Sequence, residues 1–242
     1  MEKYKVVSLI PARGHSERIP KKNIKIMAGK PMMVWTIEAS LKSKYIDRTF
    51  VSTEDKEIKE VALKYGAEVV DRPLKYSSDS GFEFGGVIQH FRETLWTELD
   101  YWPEYLVFLH TTSPLRTSEH IDEAFELLIC KNEPLIVSYA KMPHDISHYK
   151  FIDRNGLSQN IAEYRLYGRR EERETNIPKV YFFNGAVYIS IFGYFCYEAT
   201  LAKNVLTYIM RPEDTIDVDT PLDFKVAEML LEERIKGEGE NE

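Results

Sequence analysis

A basic loop follows directly on the first apolar run of the chain. Val6-Val7-Ser8-Leu9-Ile10 reads as a buried strand, and residues 11–23 (PARGHSERIPKKN) carry Arg13, Arg18, Lys21 and Lys22 with almost no hydrophobic residue. Anion chemistry suits such a loop. Arginine grips a phosphate through two parallel hydrogen bonds, lysine acts as a point charge, and Gly14 permits a close turn whose backbone N–H groups add donors. The bland alternative is a solvated basic loop, because short basic motifs occur by chance. A second candidate is the pair Asp217 and Asp219. Two apart in an extended segment, they point the same way and can hold Mg²⁺ together with phosphate oxygens. The same stretch, Asp219-Thr220-Pro221, also reads as the capped start of a helix, with Asp223 supporting that start. A third is His110, which opens the loop HTTSPLR. Its ordinary pKa near 6.5 suits a sugar contact or a base, although a lone histidine is more often packed. The other five histidines show no metal-binding spacing.

These residues need elements to place them. Strand-like runs at 5–10, 48–52, 68–70, 105–109 and 135–139 alternate with helical periodicity at 31–43, 55–65, 86–95 and 119–130. That alternation predicts parallel βαβ units. The pattern breaks between 141 and 184, a polar excursion with a charge run at 168–174, and resumes with strands at 187–189 and 206–209 and a helix from 221. The expectation is one α/β domain over 1–242, a doubly wound, mostly parallel sheet with an inserted excursion. The basic loop and the loop at 110 would then lie at the carboxyl edge of the sheet, where such folds bind ligands.

Composition narrows the class. With 242 residues, 43% of them hydrophobic, the chain can bury a sizeable core. A net charge of −7 argues against non-specific nucleic-acid binding. Cys130 and Cys196 form no C-x-x-C pair, which fits a reducing, cytoplasmic setting. No apolar run reaches the ~18 residues of a membrane span, and the first residues lead straight into a strand. The loop is neither G-x-x-x-x-G-K-[ST] nor G-x-G-x-x-G, so P-loop and dinucleotide readings lose support.

Five segments in order carry a resemblance. Residues 12–23 resemble the signature ARGGSKGIPxKN of the acylneuraminate cytidylyltransferases (CMP-sialic acid synthetases). Val51-Ser52-Thr53 with Asp55, Lys64-Tyr65-Gly66-Ala67-Glu68-Val69 and Arg72-Pro73 resemble the second signature of that family. Thr112-Ser113-Pro114-Leu115-Arg116, Asn184-Gly185-Ala186-Val187-Tyr188-Ile189 and Asp217-Val218-Asp219-Thr220-Pro221-Leu222-Asp223-Phe224 resemble later motifs, so the likeness spans about residues 5–235. It implies a Rossmann-like nucleotidyltransferase that makes a CMP-sugar and pyrophosphate from CTP and an acidic sugar. It also implies roles. Arg13 and Lys22 would stabilise charge on the α-phosphate and the leaving pyrophosphate. Gly14, Asn23 and Arg72 would bind the nucleotide, with Arg72 reading cytosine. Asp217 and Asp219 would hold Mg²⁺, Asp217 being catalytic, and His110, Thr112, Ser113 and Asn184 would serve the sugar. The excursion at 141–184 would form a homodimer.

Three departures bear on the acceptor. His15 and Glu17 replace a glycine and a lysine, His110-Thr111 replaces Gln-Pro, and Phe182-Phe183 replaces Arg-Pro. A carboxylate about 4 Å from a phosphate charge would cost about 4 kcal/mol at an effective dielectric of ~20. Glu17 is therefore expected to point away, pair with Arg18 or a lysine, or help hold a metal. The acceptor stays open between a nonulosonic acid, a Kdo-like sugar and a phosphorylated small molecule. A nucleotide-binding module without catalysis is the alternative from another class.

Overall fold

Strand β1 (Val6–Pro11) divides its side chains between two cores, as a strand covered on both faces must. The computed structural model describes residues 4–77, 83–144, 146–161, 179–194 and 205–239. Val6 and Ile10 pack with α1 (Met32–Lys42), α2 (Lys56–Lys64) and α4 (Ser118–Lys131) through Met33, Ile37, Ile58, Ile121 and Phe125. Val7 and Leu9 turn the other way, onto Val87, Ile88, Phe91 and Leu95 of α3 (Glu83–Thr97). Ser8 is accommodated by a buried hydroxyl relay, 2.6 Å to Ser40, which lies 2.7 Å from Thr49.

The main sheet has seven strands. Besides β1 these are β4 (Arg48–Thr53), β5 (Glu68–Asp71), β6 (Tyr105–Phe108), β7 (Leu135–Lys141), β10 (Tyr181–Ile191) and β11 (Leu206–Met210), in the order β11-β7-β10-β6-β1-β4-β5. Two short pairs stand apart, β2 (Ile26–Met27) with β3 (Lys30–Pro31) and β8 (Lys150–Ile152) with β9 (Ser158–Asn160). β1 pairs parallel with β4 and β6, β4 with β5, and β7 with β11. This is the expected doubly wound, mostly parallel sheet. The difference is β10, which enters between β6 and β7 and runs antiparallel to both. Residues 187–189 alone read as a short strand because the register shifts between Phe183 and Tyr188, and this irregularity hides the alternation upstream. Gly185 sits there at φ +65°, in the region that glycine favours.

A third core joins the carboxyl edge to the C-terminal helix α5 (Pro221–Gly239). Ile19 of the basic loop, Met27 of β2, Leu115 and Val218 meet Phe224, Ala227 and Leu231. Apart from Ala227, each such buried side chain contributes about 1.5–3 kcal/mol of transfer free energy, so this core docks the acidic segment beside the basic loop. Buried Asp214 reinforces the joint by accepting from Arg211 Nε (2.8 Å) and Arg234 Nη2, while Arg234 Nη1 donates to the Leu115 carbonyl (2.8 Å). Within the excursion at 141–184, hairpin β8–β9 is described and carries exposed Phe151, Ile152 and Leu157. The charge run 168–174 lies outside the described residues. Among the described residues no helix is long and apolar enough to cross a membrane.

Candidate active site

The basic loop is shaped by glycine, asparagine and the residues just past β4. An added Cβ at Gly14 would fall 2.4 Å from Asp55 Oδ2, so close approach demands glycine here. Asp55 cannot withdraw freely, because its other oxygen caps α2 by accepting from Ile58 N (3.0 Å). Asn23 is buried and joins two loops. Its Nδ2 donates to the Arg13 carbonyl (2.8 Å), and its Oδ1 accepts from the Thr111 hydroxyl (2.7 Å). Arg13, Gly14, Lys21 and Asn23 line a small cavity beside Asp55 and Ile58.

The acidic segment lies against this loop. Val218 N donates to the Thr112 carbonyl (2.8 Å), and Lys22 Nζ donates to the Val218 carbonyl (2.7 Å) and lies 3.3 Å from Asp219 Oδ1. Val218 is buried while Asp217 and Asp219 on either side are exposed, so both carboxylates face outward together, as the spacing predicts. Arg18 pairs with Asp219 at 3.4 Å rather than with Glu17, which is exposed. The capping role also holds. Asp223 Oδ2 accepts from Thr220 N (2.7 Å), Thr220 Oγ1 (2.8 Å) and Asp219 N (3.1 Å), which leaves Asp217 clear of the helix start.

Asp217, though open to solvent on one side, has its carboxyl pushed above the ordinary value. Crowding by protein is the main cause, the like charges of Asp219 and Asp223 add to it, and the Thr112 hydroxyl and Lys22 offset part. Hard oxygen donors under mutual repulsion suit a divalent cation. Among the described residues no group of three or more metal-ligating side chains is assembled. Water and phosphate oxygens would therefore complete the shell, which is the habit of Mg²⁺.

The loop after β6 holds its own cation. Arg116 is buried and donates from Nη1 to the carbonyls of Ala186 (2.8 Å) and His110 (3.1 Å). Burial pushes its guanidinium down to about 9. Burial, with the charges of Arg116 and Lys22, pushes His110 down to about 4, so the imidazole is neutral at physiological pH. Its ring packs on Phe108 and Tyr188, with centroids 5.2 and 5.6 Å away.

Three expected ligand residues point into the protein. Arg72 is buried, with Nη2 on Glu54 Oε2 (2.6 Å) and 3.4 Å from the Ala12 carbonyl. Asn184 is also buried, its Oδ1 accepting from Ser138 Oγ (2.6 Å) and its Nδ2 donating to Met210 Sδ (3.4 Å). Ser113 is 2% exposed, so Thr112 is the partly open hydroxyl of that loop. A buried amide or guanidinium takes partners inside the fold: Ser138 and Met210 serve the Asn184 amide, and Glu54 serves Nη2 of Arg72. Glu54, Thr111 and Arg116 were missed as site residues. Arg116 closes the quoted TSPLR motif and Glu54 stands between Thr53 and Asp55, but neither type nor spacing reveals which partner each meets.

The doubly wound sheet thus presents a basic loop beside an acidic pair at its carboxyl edge, and the class to which the chain belongs is that of the nucleotidyltransferases. The chain belongs to the cytidylyltransferase family, whose pattern it matches over residues 7–188. It is 31% identical over 235 residues to the CMP-N,N'-diacetyllegionaminic acid synthase of Legionella pneumophila, covering 94% of this chain and 97% of that one. It is 29% identical to the pseudaminic acid cytidylyltransferase of Campylobacter jejuni, covering 93% and 96%. Among solved structures, a CMP-2-keto-3-deoxy-manno-octonic acid synthetase complexed with CTP superposes with a TM-score of 0.67. It covers 95% of this chain and 99% of that one at 16% identity, a likeness of fold.

Proposed function

We propose that this protein is a Mg²⁺-dependent cytidylyltransferase that joins CMP from CTP to a nonulosonic, sialic-acid-like sugar and releases pyrophosphate. The anomeric hydroxyl of the sugar attacks the α-phosphorus, the bond to the β-phosphate breaks, and the hydroxyl proton is lost to water. Positioning and charge neutralisation do most of the work in such a transfer. Arg13 and Lys22 meet the charge that grows on the α-phosphate and the leaving group. Asp217 and Asp219 would hold Mg²⁺, which would supply further neutralisation of the phosphate charge. Burial pushes His110 down to about 4, so the neutral imidazole is a weak base at neutral pH, and in this reading it serves the sugar through a hydrogen bond.

The observation that carries this reading is the meeting of the basic loop with the Asp217–Asp219 segment, tied by Lys22 across both. On the acceptor side, Phe182 stands where the resemblance anticipates a cation and is exposed, while Phe183 beside it packs on Tyr139 and Tyr188, with ring centroids 5.7 and 5.4 Å away. An uncharged side chain at position 182 fits an acceptor other than the usual sialic acid, in keeping with the diacetylated sugar in the name of the Legionella relative. Pyrophosphate release, screened with each nucleoside triphosphate against several acidic sugars, should respond to CTP with a nonulosonic acid. Turnover only with a Kdo-type or phosphorylated acceptor would overturn the acceptor. CTP binding without turnover on any of them would favour the non-catalytic module.

The reading includes a single catalytic domain and a homodimer formed through 141–184, with CTP use and the free Cys130 in keeping with the cytoplasm. Exposed Phe151, Ile152 and Leu157 on a two-stranded hairpin give that surface something to bury. Light scattering should give twice the 28.3 kDa chain mass, and Phe151→Asp should shift it to the monomer. A wild-type monomer at micromolar concentration would refute the dimer.

A further inference from the structure

Glu54 lies where three loops converge at the carboxyl edge. It follows β4, whose neighbours in the sheet are β1, which leads to Gly14, and β5, which leads to Arg72. Oε1 accepts the Gly14 N–H at 2.8 Å, and Oε2 accepts Arg72 Nη2 at 2.6 Å and the Ser77 hydroxyl at 2.8 Å. The side chains of Arg72 and Glu54 are only 4% and 12% exposed, so this ion pair is largely shielded from water. A buried guanidinium without a counter-charge is costly, and the buried Nε of Arg72 has no hydrogen-bond partner among the described residues. Burial opposes ionisation of Glu54, yet the Gly14, Arg72 and Ser77 donors outweigh it and hold the carboxyl below its usual range. The pair carries no net charge, so the carboxylate adds little repulsion toward a triphosphate.

We propose that Glu54 is a positioning residue for nucleotide binding. Its carboxylate fixes the Gly14 turn of the basic loop and the Arg72 guanidinium in one arrangement, and that arrangement sets the affinity for CTP. The inference rests on the cytidylyltransferase reading and adds a residue that is not among the matched positions that carried it. It also turns the Gly14 N–H from a phosphate donor into a loop anchor.

The test compares wild type, Glu54→Gln, Arg72→Gln and the double variant. Glu54→Gln should weaken CTP binding about tenfold, the scale of losing one charged hydrogen-bond partner, while the acceptor KM moves less than about twofold. The double variant should bind CTP no worse than Arg72→Gln alone, because the two residues act as a unit. Hydrogen exchange at the Gly14 amide should speed up in Glu54→Gln. Should Glu54→Gln fail to fold, Ser77→Ala removes one donor to the same carboxylate and should still weaken CTP binding by about two- to threefold. Unchanged CTP affinity, additive losses in the double variant, or equal losses toward CTP and acceptor would each overturn the inference. If wild type bound no CTP, the cytidylyltransferase reading would fail by itself. Gly14 exchange would then decide the role of Glu54, faster exchange supporting the anchor and unchanged exchange overturning it.

Discussion

Arg13→Ala is expected to lower kcat by about 10²–10³-fold, the loss seen when one preorganised donor to a developing oxyanion is removed, or about 2.7–4 kcal/mol of transition-state stabilisation. The backbone at Arg13 is tied down independently of its side chain. Asn23 Nδ2 holds its carbonyl at 2.8 Å, and Asn23 is in turn held by Thr111 at 2.7 Å. Buried Ala12 and Ile19 anchor the loop on either side. Truncating a partly exposed arginine therefore removes a cation and leaves the loop in place. Steady-state kinetics alongside thermal unfolding check this. The midpoint should stay within a few degrees, since a surface truncation is usually worth under about 0.5 kcal/mol. A fall in thermal stability large enough to account for the lost activity would reassign Arg13 to structure.

The second large effect is expected at Asp217. Asp217→Asn keeps the shape and the Thr112 contact but removes one of the two outward carboxylates. The Mg²⁺ concentration for half-maximal rate should rise by about tenfold or more, because Mg²⁺ binds through very few protein carboxylates and each carries much of the affinity. Folding should not suffer. In the protein itself the Asp217 charge is disfavoured by crowding and by Asp219 and Asp223, so its neutral isostere relieves repulsion. A magnesium titration of initial rate, with CTP saturating, reads the effect. An unchanged titration would remove Asp217 from the metal site and leave Asp219 and Asp223 to be tested in its place.

Much of the fold could be read along the chain because its signals are local. The periodicity of Met33, Ile37 and Leu41 predicts α1, Asp55 and Gly66 bracket α2, and the continuous apolar run before Pro11 predicts a doubly covered strand. Strand β10 escaped in part because its irregularity at Gly185 breaks the alternation, and because direction is decided by a neighbour in space. The buried faces of Arg72 and Asn184 escaped for a related reason. Each looks like a ligand residue by type and motif, and only its partners, Glu54 in one case and Ser138 and Met210 in the other, show where its polar atoms go.

Residue order alone was enough for the alternating architecture, the basic loop after β1 and the two aspartates on one side of an extended segment. These depend on residues close in the chain, where spacing and geometry suffice. It took the folded molecule to show that Lys22 reaches the Val218 carbonyl, 196 positions away, and that Asn23 fastens the loop to Thr111. The same holds for the Glu54 carboxylate, which stands between Gly14 and Arg72. Such contacts arise when a folded core brings distant segments together and buried polar groups must then satisfy one another, a condition that no local pattern encodes.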